Sequence, residues 1–170
     1  MRFASLLLAQ QVASFGGARR ALARRSMAAL SAGDGEASDP LIQYVVLRRD
    51  LQESEGWPLG ALVAQGAHAA VAAVVESMGA DDTRAYVAPE ALGSMTKAVL
   101  ELKGEPQLRT LSEKLAADGR AHHLWVEQPE NVATCLATAP GRKSALAPHF
   151  KKCRLSSWHD PKPPPEPASS

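Results

Sequence analysis

The chain has 170 residues, an apolar share of 45% and a formal net charge of +1. This length is enough for one domain with a buried core. The near-neutral charge excludes a general electrostatic signal for nucleic acid, so an RNA-binding surface has to come from local clustering of cations. The two cysteines, Cys135 and Cys153, form no metal-type or disulfide framework and indicate reduced thiols.

The two ends of the chain differ in composition from the middle. Residues 1–33 contain five arginines and no acidic residue, which predicts a mitochondrial or plastid transit peptide. The alternative is an extension of a cytoplasmic protein. Residues 34–40 are predicted to be a linker, and the Pro-rich residues 156–170 a disordered tail. No apolar run reaches the ~18–20 residues that span a membrane, so no membrane is expected as a partner.

The domain between these ends begins with a strand. Residues 41–48 are apolar and β-branched and predict a buried strand, followed by a loop. Pro58 suits the first turn of an alanine-rich helix to about Met78, and a second helix from about residue 82 has to bend at Pro89. The later elements are predicted as strand, helix, strand, strand, helix and edge strand, at 97–102, 105–117, 122–127, 133–139, 142–151 and 152–155.

The order of these elements predicts the fold class. Strands that alternate with helices indicate an α/β layer fold over residues 41–155. We expect a three-layer sandwich, in which a four-stranded sheet carries helices on both faces. The sequence lacks the G-x-G-x-x-G, GxxxxGK[ST], HExxH and GxSxG motifs, which argues against dinucleotide enzymes, P-loop NTPases, zincins and common serine hydrolases.

Two polar residues interrupt the small, apolar predicted helix. Gln65 and His68 are three positions apart and therefore share one helix face. One interpretation is structural, with both side chains tying the helix to neighbouring loops. The other is catalytic, with Gln65 orienting a carbonyl group or water and His68 contacting substrate. Asp50 and Glu127 each lie at the end of a predicted strand, so topology can bring them into the same crevice.

Cations cluster near the end of the predicted domain. Together with Arg48 and Arg49 they would form a rim that contacts phosphates, and the alternative is an ordinary solvated surface. These C-terminal cations are Arg142, Lys143, Lys151, Lys152 and Arg154.

Four segments resemble one known family. They are YVVLRRDL at 44–51, AQGAHAA at 64–70, KAVLE at 97–101 and LWVEQPENVATC at 124–135. Together they resemble the type 2 peptidyl-tRNA hydrolases, and the last segment is similar to a divergent branch of peptidyl-tRNA hydrolase domain-containing proteins.

The resemblance implies a fold, a substrate and a set of site residues. It implies a mixed four-stranded sheet, commonly a homodimer, and hydrolysis by water of the ester that links a peptide to the terminal ribose of tRNA. No metal and no organic cofactor is implied. Gln65 and His68 match the helix residues of the family, and Asp50 matches its strand-end aspartate.

The chain departs from the family pattern at three places. Ala61 stands where the family has a lysine, and about four extra residues separate Asp50 from the helix. The family's D-x-G-x-T-x-x-x-P loop is shortened, so Glu127 would replace its aspartate, while Asn131 and Thr134 become candidates for substrate contacts. The main hypothesis is a peptidyl-tRNA hydrolase with Gln65, His68, Asp50 and Glu127 as catalytic residues. The alternative is a catalytically weak module that binds tRNA or protein.

Overall fold

The structure is a computed structural model, and it describes residues 39–156. The predicted transit peptide at 1–33, all of the linker except its last two residues, and all of the Pro-rich tail except its first residue lie outside the described residues. The domain predicted at 41–155 falls entirely within them.

A mixed β-sheet organises the domain. Its strands follow the order β3-β4-β1-β2-β6, and β5 pairs with the first residues of β1. Strands β1 and β2 are parallel, and every other pairing is antiparallel. The strands are β1 (Leu41–Arg48), β2 (Lys97–Leu102), β3 (His122–Glu127), β4 (Val132–Thr138), β5 (Gly141–Arg142) and β6 (Arg154–Leu155).

Within residues 39–156 the sheet has six strands, whereas we expected a four-stranded sheet. Strand β6 lies inside the edge strand predicted at 152–155, whereas β5 was not predicted, because its two residues are too few to show the alternation that identifies a strand. The expectation of a four-stranded sheet is therefore corrected, and the mixed α/β class is confirmed.

Within residues 39–156, five α-helices connect and cover the strands. A short helix forms inside the predicted loop after β1, and the two predicted helices with a proline in their interior are divided. Helix α3 ends before Pro89, and Pro148 lies in a 3₁₀ turn that follows α5. The helices are α1 (Asp50–Glu53), α2 (Leu59–Glu76), α3 (Asp81–Tyr86), α4 (Glu105–Ala117) and α5 (Lys143–Leu146).

Helices α2 and α4 pack on opposite faces of the sheet. Val45 and Val46 are neighbours in β1, so their side chains point to opposite faces. Val46 belongs to the core cluster that α4 completes with Leu108, Leu111 and Leu115. Val45 belongs to a second cluster, which α2 completes with the small residues Ala69, Ala70 and Ala73.

A buried glutamine of β1 fixes α2 to the sheet. The side-chain amide of Gln43 donates to the Ala70 carbonyl of α2 and to the Thr138 carbonyl of β4, both at 3.0 Å. Gln43 is fully buried. Without these two bonds, its amide N–H groups would be removed from water and left without a hydrogen-bond acceptor. The face of α2 that carries Gln65 is therefore held in one orientation on the sheet.

Helix α2 has an inner face and an exposed apolar face. Its 18 residues have a mean hydropathy of 1.4, which by length and composition alone is enough for a membrane span, although Gln65 and His68 interrupt its apolar run. Only 28% of it is buried, and its exposed apolar residues include Val63, Val71 and Val75. The inner face of the helix, with Ala69, Ala70 and Ala73, packs against the sheet.

Candidate active site

Helix α2 presents the two polar residues that the sequence singles out. Gln65 faces the sheet and is 5% exposed, whereas His68, one turn further along, is accessible to solvent. The helix is Ala-rich here, and such small side chains allow its backbone to approach β1 and β4 closely. Gln65 is therefore placed for a fixed contact, and His68 for contact with a ligand.

A β-bulge in β4 supplies the partner of Gln65. The β3–β4 register shifts between Trp125 and Val126, which leaves Thr134 without a partner residue in the ladder. A bulge turns the extra side chain out of the regular alternation. As a result Thr134 faces α2 and donates a hydrogen bond of 2.7 Å to the Gln65 side-chain oxygen. Both side chains are buried.

This bond leaves the amide nitrogen of Gln65 available. Its oxygen is occupied by Thr134, and the side-chain hydrogen bonds within residues 39–156 include none from its Nε2. A positioned side-chain amide N–H is one of the groups that stabilise the oxyanion in acyl-transfer reactions. The Gln65–Thr134 pair is thus a pre-oriented donor at the edge of the α2 face.

His68 belongs to a chain of contacts that ends in a carboxylate. Its imidazole stacks on the indole of Trp125, with ring centres 4.6 Å apart and an angle of 17° between the planes. The Trp125 indole N–H donates to a Glu127 carboxylate oxygen at 2.8 Å. The structure therefore brings His68 and Glu127 together through Trp125, a link that the sequence analysis missed because it depends on the α2–β3 contact.

An open groove lies beside His68. It has a volume of about 460 Å³. Trp125 and Glu76 border it, and the outward side chains of α2 complete its wall. Those side chains are Ala67, His68, Val71, Ala72 and Val75. A ligand in the groove would meet a mainly apolar surface with an imidazole at its edge.

Asp50 lies on the other side of the sheet, in an ionic cluster around the buried guanidinium of Arg48. It binds the Arg48 guanidinium through two hydrogen bonds of 3.0 and 2.7 Å. Glu55 and Glu105 each accept a further bond from Arg48 at 3.0 Å, and the Ala133 carbonyl accepts the fifth. These contacts raise the pKa of Arg48, with the Asp50 hydrogen bond as the largest cause.

The ionic cluster shows where two of the predicted site residues lie. Arg48 uses all five of its N–H donors inside the protein, so it has none left for a phosphate. It alternates with Val46 along β1 and therefore lies on the α4 face, whereas Gln65 and His68 lie on the α2 face. The structure thus separates Asp50 from the other three residues predicted to be catalytic.

The remaining predicted contact residues are scattered. Arg49 follows β1 and lies within ion-pair distance of Glu53, at 3.2 Å. Asn131 is in the β3–β4 turn with a φ of 57°, a left-handed conformation that asparagine tolerates. Lys143 begins α5, where its backbone N–H bonds Pro40 near the start of β1, so it is at the opposite end of that strand from Arg49. Lys151 is exposed after the last 3₁₀ turn.

The position of the missing family lysine is on the first turns of α2. Ala61 is half-buried there, four residues before Gln65. Within residues 39–156 no group of three or more His, Cys, Asp or Glu side chains is arranged to hold a metal ion. The groups available for chemistry in this region are an amide, an imidazole and a carboxylate.

These features define a class of protein. The chain forms a mixed α/β domain that offers a buried amide donor and an accessible imidazole beside an open groove, a combination suited to hydrolysis of a carbonyl ester. The family model described as peptidyl-tRNA hydrolase PTH2 matches residues 41–156. The chain belongs to this family, the type 2 peptidyl-tRNA hydrolases.

Two curated relatives place it within the family. A human protein named "Putative peptidyl-tRNA hydrolase PTRHD1" is 45% identical over 125 residues, which cover 73% of this chain and 88% of the relative. The mouse protein of the same name is 47% identical over 116 residues, covering 68% and 81%. The resemblance to a divergent branch is therefore confirmed, and that branch is the PTRHD1-like one.

Proposed function

We propose that this protein hydrolyses peptidyl-tRNA, cleaving the ester between the peptide and the terminal ribose of tRNA. The observation that carries the proposal is the Gln65–Thr134 pair, whose free amide N–H lies one helical turn from the accessible His68. Membership of the peptidyl-tRNA hydrolase family supports the same substrate.

The proposed reaction uses water as the nucleophile. His68 accepts a proton from water as the water oxygen bonds to the ester carbon. The Nε2 of Gln65 donates a hydrogen bond to the oxygen that becomes negative. The tetrahedral intermediate then collapses, and the ribose oxygen leaves with the proton that His68 held. The products are a peptide with a free carboxylate and a deacylated tRNA.

Trp125 and Glu127 have supporting roles in this mechanism. The indole of Trp125 fixes the plane of the His68 ring, and Glu127 fixes the indole. Glu127 therefore acts as a positioning residue, and Asp50 stabilises the loop after β1 through Arg48.

The groove beside His68 is the proposed location of the peptide. Its apolar wall, with Val71 and Val75, can bury the side chains of a nascent peptide without demanding one sequence. This arrangement would place the ester at the His68 end of the groove.

The hydrolase proposal is tested with matched substitutions. Purified full-length protein is incubated with labelled peptidyl-tRNA, and the release of deacylated tRNA is followed. His68→Phe keeps the ring that stacks on Trp125 and removes both nitrogens, while Gln65→Glu keeps the acceptor for Thr134 and removes the N–H donors. We expect each to reduce the rate by about 10²-fold or more. Unchanged rates in both would remove these residues from the mechanism.

Ala61→Lys distinguishes the hydrolase from the alternative binding module. The hydrolase proposal expects measurable turnover in the parent and little change when the family lysine is restored. A silent parent that gains activity in Ala61→Lys would instead favour a module that kept the fold after losing catalysis. Ala61 is half-buried on the first turns of α2, where a long side chain can extend into solvent.

Two further proposals concern the whole protein. The Arg-rich, acid-free residues 1–33 are proposed to direct it to a mitochondrion or plastid, which fusion of this segment to a fluorescent protein tests. A homodimer is proposed from the family resemblance, and light scattering of the purified chain measures its mass. A cytoplasmic fusion or a monomeric mass would contradict these proposals.

A further inference from the structure

A second cavity lies apart from the Gln65–His68 region. It has a volume of about 510 Å³ and is bounded by the ends of β1 and β2, helix α4 and the segment that leads into β6. Leu102, Pro106, Leu111 and Cys153 give it an apolar floor. We call it the basic cleft, because cations from four separate segments line it: Arg49, Lys103, Lys114, Lys152 and Arg154.

Most of these cations lack a carboxylate partner within residues 39–156. There Lys103, Lys114, Lys152 and Arg154 have no carboxylate within 4.0 Å, whereas Arg48, Arg84 and Arg109 are each paired with one. Arg49 lies 3.2 Å from Glu53 and 3.9 Å from the buried Glu101, the one carboxylate that lines the cleft. The cleft therefore holds five cations against one acid, in a domain whose 40–155 segment has equal numbers of both.

This charge distribution fits a ligand with several separated negative charges. The cations stand on different walls of the cleft, so a single carboxylate could not contact all of them. A chain of phosphates can, because successive phosphates of a polynucleotide are several ångströms apart and each can take one Lys or Arg. The exposed lysines are free to adjust to such a backbone, and the apolar floor can accept a sugar or base.

The position of the cleft agrees with the proposed substrate. Arg49 and Lys103 directly follow the parallel strands β1 and β2, so the cleft opens at their carboxyl ends. Thr134 and its partner Gln65 lie over the same end of β1, since Leu47 pairs with Cys135. An RNA that enters the cleft can therefore pass around one edge of the sheet to the Gln65–His68 region.

From these observations we infer that the basic cleft binds backbone phosphates of the tRNA part of the substrate. This inference rests on the proposed function for the identity of the RNA. It differs from the rim predicted from the sequence, because Lys103 and Lys114 join the site whereas Arg48 and Lys143 are not part of it.

The test is direct binding of deacylated tRNA to charge-reversal variants. Fluorescence anisotropy is measured over a series of KCl concentrations for the parent and for Lys103→Glu/Lys152→Glu. We expect the Kd to rise at least about tenfold. The slope of log K against log salt should become shallower by about 2, as expected when two phosphate contacts are lost. Both lysines are exposed, so circular dichroism should show an intact fold.

Arg84→Glu is the control for reversal of a cation outside the cleft. Arg84 is an exposed cation on α3, and Tyr86 of the same helix bonds the Thr96 carbonyl at the start of β2, so it lies at the other end of the sheet. Its reversal should leave tRNA affinity within about twofold. An equal loss in Arg84→Glu and in the double variant would reduce the effect to net charge and overturn the inference.

Three other results would also overturn the inference that the basic cleft binds tRNA. Unchanged tRNA affinity in the double variant overturns the inference, as does a parent that binds no tRNA. Binding of inorganic phosphate or a mononucleotide to the cleft, without an effect of the variant on tRNA, would assign the site to a small anion and reject RNA.

Experiments can distinguish failure of the tRNA-binding inference from failure of the hydrolase proposal. Deacylated tRNA has no ester, so its binding does not depend on catalysis. A minimal substrate, an N-acetylaminoacyl ester of adenosine, has the ester but no tRNA body. We expect the double variant to cleave this ester at the parent rate while its KM for peptidyl-tRNA rises.

Discussion

Thr134 donates a hydrogen bond of 2.7 Å to the side-chain oxygen of Gln65, and a β-bulge makes this contact possible. Ala133 packs in the α4-side core and Cys135 in the α2-side core, although they are two positions apart and would share a face in a regular strand. The extra residue between them is Thr134. The bulge therefore creates the site and changes which side of β4 faces α2.

The Thr134–Gln65 bond can be tested for both stability and activity. Thr134→Val keeps the shape of the side chain but leaves the buried Gln65 oxygen without a donor, which should cost about 1–3 kcal/mol. Hydrolysis should fall as well, because Gln65 is no longer held. Thr134→Ser keeps the hydroxyl and serves as the control, and urea unfolding measures the stability. Equal behaviour of the two variants would contradict the role of the bond.

The ionic cluster around Arg48 predicts a loss of stability when its cation is removed. Arg48→Met leaves the buried Ala133 carbonyl without a donor and the half-buried Asp50 and Glu105 without their shared cation, and we expect a loss of about 1–3 kcal/mol. Arg48→Lys should not recover the stability of the parent, because an ammonium group cannot make the five hydrogen bonds of the planar guanidinium. Arg84→Met removes an exposed ion pair and should change the free energy of unfolding by less than about 1 kcal/mol. Denaturant titrations compare the three.

Substitutions of Trp125 distinguish the two roles of its side chain, which are stacking on His68 and holding the Glu127 carboxylate. Trp125→Phe retains an aromatic ring for His68 and removes the N–H that holds Glu127. If Glu127 acts through this bond, kcat should fall by about tenfold with little change in KM, and Glu127→Ala, which removes the acceptor, should behave similarly. Trp125→Ala removes both interactions and should have the larger effect. A fall in activity for Trp125→Ala alone would assign the residue to stacking only.

The two thiols should resist alkylation in the folded protein. Burial raises the pKa of Cys153 to about 11 and that of Cys135 to about 12. Near pH 8 the Cys153 thiolate should therefore be about 100-fold scarcer than in the unfolded chain, and iodoacetamide should react correspondingly more slowly. Mass spectrometry with and without urea measures this. Fast labelling of Cys153 in the native protein would contradict the prediction.

The raised thiol pKa values also predict how the free energy of unfolding depends on pH. The native state favours the neutral thiols, so their contribution is complete below the ordinary thiol pKa of 9.0 and is lost as pH rises toward about 11. The free energy of unfolding should fall over that range. Cys153→Ser should reduce this dependence on pH.

Local patterns were sufficient for most of the elements. The strands at 41–48, 97–102 and 122–127 and the helix at 105–117 have the predicted bounds, because alternation, β-branching and the i, i+3, i+7 leucines are properties of contiguous residues. The helix with Gln65 and His68 was predictable for the same reason. The breaks at Pro89 and Pro148 follow from the missing N–H of proline.

The sequence by itself determined the α/β class, the family and the helix face that carries Gln65 and His68. Only the tertiary structure decided their partners. Thr134 reaches Gln65 through a bulge, Trp125 joins His68 to Glu127 across two elements, and Arg48 turns into the protein and keeps Asp50 with it. The physical reason is that helices and strands follow from short-range periodicity, whereas these contacts depend on strand register and on which face of the sheet each side chain occupies.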